Sequence, residues 1–471
     1  MTANNSRREE ESKAKTQNQG RSPVPLLNGI VADKAEKDTS FLTSNYDGYI
    51  ATIEDVIDEL NIQRALKAVI SNKGASGIDG ITTDKIQSVM NQKWLQIRQE
   101  ILDGTYKPSP VKRVEIPKPD GNGVRQLGIP TTMDRVIQQA IHQILTPVFE
   151  PLFSEHSYGF RPNRSAHQAV LQAHEYIQSG YEWVVDIDLE KFFDRVNHDM
   201  LMARVARHVK DKKLLLLIRR YLQAGIMEGG LVKQTEEGTP QGGPLSPLLS
   251  NIMLDDFDKE LEKRGLRFAR YADDCNIYVR TERAGKRVME TAVRYLIEKL
   301  KLKVNQQKSA VDNPWNRKFL GFTFTKEKKG NRIAVHESRT KRFKGKVREL
   351  TKKLRGSNIT DTIRKVLRPI TTGWANYFGI TGKPEIFKAL DGWIRRKIRA
   401  ALWRQWKTPG TRYKRLKTLE LKEDTARRTA YGHKGPWRMA KTPGMHRALS
   451  NRVIEEMGNV SMSQVVARKF T

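Results

Sequence analysis

A single cysteine, Cys275, stands in 471 residues, which excludes an internal disulfide and any zinc site built on cysteine pairs. Long apolar runs are missing too. The longest, Leu214 to Ile218, falls far short of the roughly 18 residues of a spanning helix, and Met1 to Glu10 lack the apolar segment of a signal peptide. The expectation is a cytoplasmic protein with no membrane partner. Negative charge is scarce: 53 Asp and Glu against 85 Lys and Arg leave a net charge of +32. That surplus exceeds what solubility requires and points to a polyanionic partner, nucleic acid before all others.

Residues 1 to about 45 are polar, with few apolar positions before Val24, and read as a mobile tail. From Ile53 an apolar period of three to four (Val56, Ile57, Leu60, Ile62, Leu66, Val69, Ile70) predicts helices ended by the turn Asn72-Lys73-Gly74. Two short runs, Val111 to Ile116 and Val124 to Ile129, flank a Pro- and Gly-rich tip and predict a hairpin bearing the cations Lys112, Arg113, Lys118 and Arg125. Trp183 to Leu189 reads as an apolar strand in which period two puts Asp186 and Asp188 on one face. A second strand pair, Phe268 to Val279, turns over Ala272-Asp273-Asp274. Strands and helices interleave, so the middle of the chain is α+β.

Beyond about residue 340 the composition changes. Lys341 to Ala440 hold 28 Lys and Arg against 7 Asp and Glu, so a surplus of 21 gathers in a hundred residues, together with five of the eight tryptophans. Phe387, Leu390, Ile394 and Ile398 repeat at helical spacing, while Arg395, Arg396 and Arg399 fall off that stripe, as on an amphipathic helix with a cationic outer face.

Adding a nucleotide to a primer end requires charge stabilisation on an in-line phosphoryl transfer, which two divalent ions supply when convergent acids hold them. Asp273 and Asp274 on a hairpin turn, facing Asp188 on a neighbouring strand, form a candidate set. Each piece has an innocent reading, since acids are common in turns. The weight lies in unrelated strings occurring in one order: Asn72-Lys-Gly-Ala-Ser-Gly-Ile-Asp-Gly80, Arg125-Gln-Leu-Gly-Ile-Pro-Thr131, Tyr158-Gly-Phe-Arg-Pro-Asn-Arg-Ser165, Asp186-Ile-Asp-Leu-Glu-Lys-Phe-Phe-Asp194, Gly238-Thr-Pro-Gln-Gly-Gly-Pro-Leu-Ser-Pro247, Arg270-Tyr-Ala-Asp-Asp274, Asn305-Gln-Gln-Lys308 and Leu320-Gly-Phe322.

Together these strings resemble the reverse transcriptases encoded by bacterial group II introns, from about residue 55 to the C-terminus, and most the compact members lacking an endonuclease domain. The resemblance implies a right-hand polymerase: a mobile tail at 1–45, fingers and palm with an N-terminal extension at 46–335, an α-helical thumb or maturase domain at 336–410, and a basic, DNA-binding-like region at 411–471. It implies an RNA-directed DNA polymerase that binds its intron RNA to promote splicing and copies that RNA into DNA during intron mobility. Its partners would be intron RNA, a template/primer duplex and target DNA, within a bacterial ribonucleoprotein.

By the same resemblance Asp188, with Asp186 as runner-up, joins Asp273 and Asp274 in holding two divalent ions, Mg²⁺ foremost, and Lys308 assists proton transfer to pyrophosphate. Lys118 and Arg125 hold the dNTP triphosphate. Phe193 selects against ribose, and Gln241, Gly242 and Pro244 close on the nascent pair. Lys73, Arg161 and Arg164 meet the template, and Leu320, Gly321 and Phe322 grip the primer end. Arg395, Arg396 and Arg399 meet RNA. Many members carry a cysteine-containing nuclease domain, so second-strand cleavage is not expected here and primers would come from pre-existing DNA ends. Two other readings are a splicing factor with a vestigial polymerase site, and a reverse transcriptase for defence or diversity generation.

Overall fold

The computed structural model describes residues 49–117, 123–228, 231–233, 237–238, 242–327, 330–353, 358–382 and 384–468. The polar tail at 1–45, Lys118 and Gln241 lie outside them.

The first helical stretch breaks at Asp58, whose side chain caps a new helix, α1 (Glu59–Asn72), by accepting from Asn61 N–H. Lys73 ends α1 in the left-handed conformation, φ 48°. The predicted hairpin is present: β1 (Val111–Pro117) and β2 (Val124–Ile129) pair antiparallel, Lys112 opposite Ile129. Helix α2 (Thr132–Phe149), capped by Thr131, packs on α1 and carries a nearly continuous buried face. Two short strands, β4 (Ile226–Glu228) and β5 (Leu231–Lys233), extend the hairpin into a four-stranded sheet in the order β2-β1-β4-β5. This is the fingers layer.

The palm is a second four-stranded sheet, β6-β7-β3-β8, antiparallel throughout, made of β3 (Trp183–Ile187), β6 (Arg267–Tyr271), β7 (Asp274–Val279) and β8 (Ala310–Asp312). Its two faces belong to different cores. Val185, Ile187, Cys275 and Ile277 pack into a cluster shared with α2, α5 (Ser246–Lys263) and α6 (Glu282–Glu298). Val184 and Tyr278 point the other way, into a cluster shared with α3 (Ala166–Gln178), the hairpin β9 (Phe322–Glu327) and β10 (Gly330–Val335), and the C-terminal helices. A short helix, α4 (Phe192–Arg195), follows β3. Period two therefore puts Asp186, Asp188 and Asp274 on the palm face that looks toward the second core.

The thumb begins with α7 (Glu337–Lys353), then α8 (Arg368–Phe378) and the long α9 (Pro384–Gln405). Trp374, Tyr377 and Phe378 form the expected core stripe: Trp374 lies 4.7 Å from Phe378 and 4.9 Å from Phe343, centroid to centroid. The stripe Phe387, Leu390, Ile394 and Ile398 is buried as read. Helix α10 (Pro409–Thr418) and four shorter helices lead to the last described one, α11 (Met462–Ala467), which is held to α9 by one carboxylate. Asp391, only 2% exposed, accepts from Ser461 Oγ (2.9 Å), Met462 N–H (2.8 Å), Ser463 N–H (3.0 Å) and Ser463 Oγ (2.8 Å). Asp391→Ala strands those buried donors and should cost about 3 kcal/mol, read as a lower urea midpoint; an unchanged midpoint would show that the carboxylate does not fasten the C-terminal helices.

Candidate active site: the palm carboxylates

The register between β3 and β7 sets Ile187 opposite Cys275, and one step further puts Asp188 opposite Asp274, at the roughly 4.5–5.5 Å backbone spacing of antiparallel neighbours. Asp273 occupies the turn between β6 and β7, whose first residue, Ala272, is left-handed at φ 58°. Carboxylates far apart in sequence thus converge at one end of the palm sheet. Their proximity shows in Asp274: although water reaches its side chain, its carboxyl is pushed up to about 7 by partial desolvation at the sheet's end and then by the charges of Asp273, Asp186 and Asp188.

The acids are gathered but not closed. Among the described residues, no three carboxylate, imidazole or thiol groups stand tightly enough to hold a metal ion as they are. A divalent cation fits this donor set, because hard oxygen ligands of one sign are what such ions require and their mutual repulsion is what a cation offsets.

Asp188 and Asp186 have different surroundings. The turn after Val304 clamps the Asp188 backbone: Ser309 Oγ lies 3.0 Å from its N–H, and Asn305 N–H donates to its carbonyl at 2.8 Å. The same turn brings Lys308 Nζ to 3.4 Å from Asp188 Oδ2, with the lysine side chain 62% exposed. Asp186 is taken up by Arg317, whose Nε and Nη2 donate to Oδ2 at 3.0 and 2.6 Å. Of the two strand acids, Asp188 is the one left facing the turn.

Sequence reading missed what holds the turn. Arg270, 1% exposed, spends its guanidinium on Asp258 (Nε to Oδ1, 2.7 Å), Ser157 Oγ (2.8 Å), Asn251 Oδ1 (3.1 Å) and the carbonyl of Ala272 (2.8 Å). Asn251 also donates to the carbonyl of Gly159 at 2.8 Å. Gly159 lies against the turn so closely that a Cβ there would collide with the backbone of Tyr271 and Ala272. A signal existed: Arg270 is in phase with Phe268 on β6, and Asp258 lies on the buried stripe of Leu254 and Leu261, so both charges occupy apolar positions.

Other expected site residues divide. Phe193, half-buried, follows β3 on α4 with its ring 5.3 Å from that of Phe192. Gly242 approaches the carbonyl of Gly128 on β2 too closely for any Cβ, and Pro244 follows it half-buried, so this loop closes on the fingers. Arg125 sits on β2 opposite Ile116. Lys73 is exposed at the end of α1. Leu320 and Gly321, both left-handed (φ 52° and 89°), form a two-residue turn closed by paired Phe319 and Phe322 backbone bonds of 3.0 and 2.9 Å. Tyr377 of α8 fastens it by donating to Leu320 O at 2.9 Å.

Three of the expected nucleic-acid contacts need correction. Phe322 is wholly buried and supports the Leu320–Gly321 turn from beneath instead of meeting a primer. Arg161, 7% exposed, is consumed by Glu150 and by the carbonyls of Ser154 and Ser157. Arg164, half-buried, pairs at the surface with the exposed Glu155 at 2.5 Å, a weak pair that does not bear on its template reading. Arg399, 3% exposed, donates to Leu449 O at 2.8 Å, so it fastens C-terminal residues to α9 and is no part of an outer face. Arg395 is half-buried, and Arg396 is half-buried against Trp437.

A palm sheet carrying converged aspartates on a hairpin turn, beneath a fingers layer and beside a helical thumb, defines a nucleic-acid polymerase of the right-hand class. Residues 116–324 match the family described as reverse transcriptase (RNA-dependent DNA polymerase), and residues 340–419 match the group II intron, maturase-specific domain. Protein YkfC of Escherichia coli (strain K12) is 34% identical over 290 residues, 53% of this chain and 76% of that protein. The group II intron-encoded protein LtrA of Lactococcus lactis subsp. cremoris is 41% identical over 206 residues, 44% of this chain and 34% of LtrA. Among solved structures, a partial Cas6-RT-Cas1–Cas2 complex is 25% identical, covers 52% of this chain and 43% of that one, and has a TM-score of 0.35. The chain belongs to the reverse transcriptases of the group II intron maturase family. It spans about three quarters of YkfC and about a third of LtrA. Among the described residues no helix is long and apolar enough to cross a membrane.

Proposed function

We propose that the chain extends DNA primers on RNA templates by two-metal nucleotidyl transfer, binds its intron RNA to promote splicing, and copies that RNA into DNA during intron mobility. The convergence of Asp188, Asp273 and Asp274 at one end of the palm sheet supports the polymerase reading most strongly. These three would hold the divalent ions, which when bound stabilise charge on the entering and leaving oxygens. In our reading Asp186 is excluded from that role by Arg317, while Lys308, exposed beside Asp188, is placed to protonate the departing pyrophosphate. In the same reading the Gly242–Pro244 loop lines the nucleotide side under the fingers, Lys118 and Arg125 would hold the triphosphate, and Phe193 would meet a ribose 2′-OH.

The proposed division is fingers and palm to about residue 335, thumb to about 410 and a DNA-contacting region beyond, working in a bacterial ribonucleoprotein with a target DNA. Extension of a DNA primer on an RNA template, with and without Mg²⁺, tests the assignment. Mg²⁺-dependent synthesis is expected, and RNA binding without synthesis would favour the splicing factor with a vestigial site.

Phe193→Ala should relax sugar discrimination by roughly 10- to 200-fold, the range of a single apolar pocket contact. The ratio of dNTP to rNTP incorporation reports it directly. An unaltered ratio would remove Phe193 from the nucleotide pocket.

A further inference from the structure

Helix α4, which carries Phe193, is a single turn of four residues. It is entered through Lys191 in the left-handed conformation, φ 49°, with no side-chain cap. So short a helix does not hold itself in place, and the position of Phe193 depends on what packs against its backbone. Immediately after it the chain enters a second helix, His198–His208, capped by Asn197. The first residue of that helix turns an imidazole into the interior. His198 is 4% exposed, and its Nε2 lies 2.6 Å from the carbonyl of Gly238. A carbonyl oxygen only accepts, so Nε2 carries the proton and donates.

Gly238 is held from both sides. Its N–H donates to Val196 O at 2.8 Å, and Glu237 before it bridges to Asn197. At φ 96° and without a side chain, Gly238 rests on the peptide that joins Phe193 to Asp194: a Cβ there would stand 2.9 Å from Phe193 O and 3.0 Å from Asp194 Cα. From Gly238 the chain runs toward Gly242, which meets the carbonyl of Gly128 on β2, and Gly243, which meets the side chain of Gln138 on α2. Three residues separate Gly238 from Gly242, so each anchored point limits where the other can lie. The backbone of Phe193 is thereby linked to the fingers, and the imidazole of His198 is the side chain that fastens the palm end of the link.

We propose that His198 is a positioning residue for nucleotide selection: by donating to Gly238 O it seats the Gly238 backbone on the Phe193–Asp194 peptide and so sets how closely the Phe193 ring approaches the sugar of the incoming nucleotide. The inference rests on the reading of Phe193 as the sugar-contacting residue and deepens it. A bond that governs placement shows in nucleotide binding and sugar selectivity more than in turnover.

Two substitutions in the full chain separate the donor from the ring. His198→Phe keeps a ring in the cavity and removes the donor, whereas His198→Gln keeps an N–H within reach of the carbonyl. In primer extension on an RNA template, His198→Phe should lower the ratio of dNTP to rNTP incorporation about three- to tenfold, the scale of one neutral hydrogen bond. KM for dNTP should rise by a similar factor while kcat stays within about twofold. His198→Gln should bring ratio and KM back to within about twofold of the parent. Added to Phe193→Ala, His198→Phe should change sugar selectivity no further, because it acts through that ring. Gly238→Ala drives a Cβ into the Phe193–Asp194 backbone and should move the ratio the same way, which carries the test should His198→Phe fail to fold. A lower melting temperature with an unchanged ratio in His198→Phe, beside a changed ratio in Phe193→Ala, would overturn the role of His198 and leave the sugar pocket standing. Equal losses in His198→Phe and His198→Gln, or full additivity with Phe193→Ala, would overturn it too. An unchanged ratio in Phe193→Ala would overturn the underlying reading.

Discussion

Asp274→Asn should lower primer extension on an RNA template by about a thousandfold or more, while RNA affinity stays within about twofold of the unaltered chain. The argument starts from the crowding of acids at the end of the palm sheet. Asp274 has its carboxyl pushed up to about 7 by the surrounding protein and by Asp273, Asp186 and Asp188. A raised value means that the folded chain disfavours the ionised form, so above pH 7 in the absence of divalent ions the charge on Asp274 works against folding. Asparagine keeps the shape and removes the repulsion. The variant should therefore melt no lower than the parent at pH 8 without divalent ions, which separates lost chemistry from lost structure. Asp273→Asn should behave alike in activity. Retained synthesis in both variants would show that the acids of the turn do not hold the reacting centre.

The second large effect concerns a residue that touches no reacting atom. Arg270 is buried with Asp258 and holds the carbonyl of Ala272, one residue before Asp273. Removing one partner of such a pair leaves an uncompensated charge in the core, so Arg270→Ala should cost about 3–5 kcal/mol. A loss of that size endangers the fold itself, so Arg270→Lys is the informative change. It keeps the charge near Asp258 but cannot span Asp258, Ser157, Asn251 and Ala272 at once. If Arg270 positions the turn, the lysine variant should hold KM for dNTP near normal and lose up to about a hundredfold in kcat, the scale of a misplaced reacting group. A variant with reduced stability and unchanged kcat would make Arg270 a core residue and nothing more.

Much of the centre was legible because strands have a simple period. Two acids in Trp183 to Leu189 had to share a face, and Ala272-Asp273 announced a turn, but the register that brings Asp274 opposite the next position after Ile187 belongs to the β3–β7 pairing and emerges only in the assembled sheet. The core stripes of α8 and α9 followed from spacing alone. Charge was the less faithful guide. Arg161 and Arg399 look like surface cations in the sequence, yet one is closed in by Glu150 and two carbonyls and the other by Leu449 O. A guanidinium on a flexible stem can satisfy its donors on backbone oxygens far along the chain, and nothing local announces this. Phe322 was misread for the opposite reason: it adjoins the Leu320–Gly321 turn, but strand alternation sends its ring inward. Ser157, Asn251, Asp258 and Arg270 come together only in three dimensions, so their joint hold on the turn was out of reach until the sheet was assembled.

The most direct test of the account is the position of the metal ions. Crystals of the chain with an RNA/DNA template-primer, a non-hydrolysable dNTP analogue and Mn²⁺ would report it through anomalous scattering. The account predicts metal peaks bound by carboxylate oxygens of Asp188, Asp273 and Asp274, with Asp186 still on Arg317. Peaks elsewhere, or Asp186 released from Arg317 to take the place of Asp188, would contradict it.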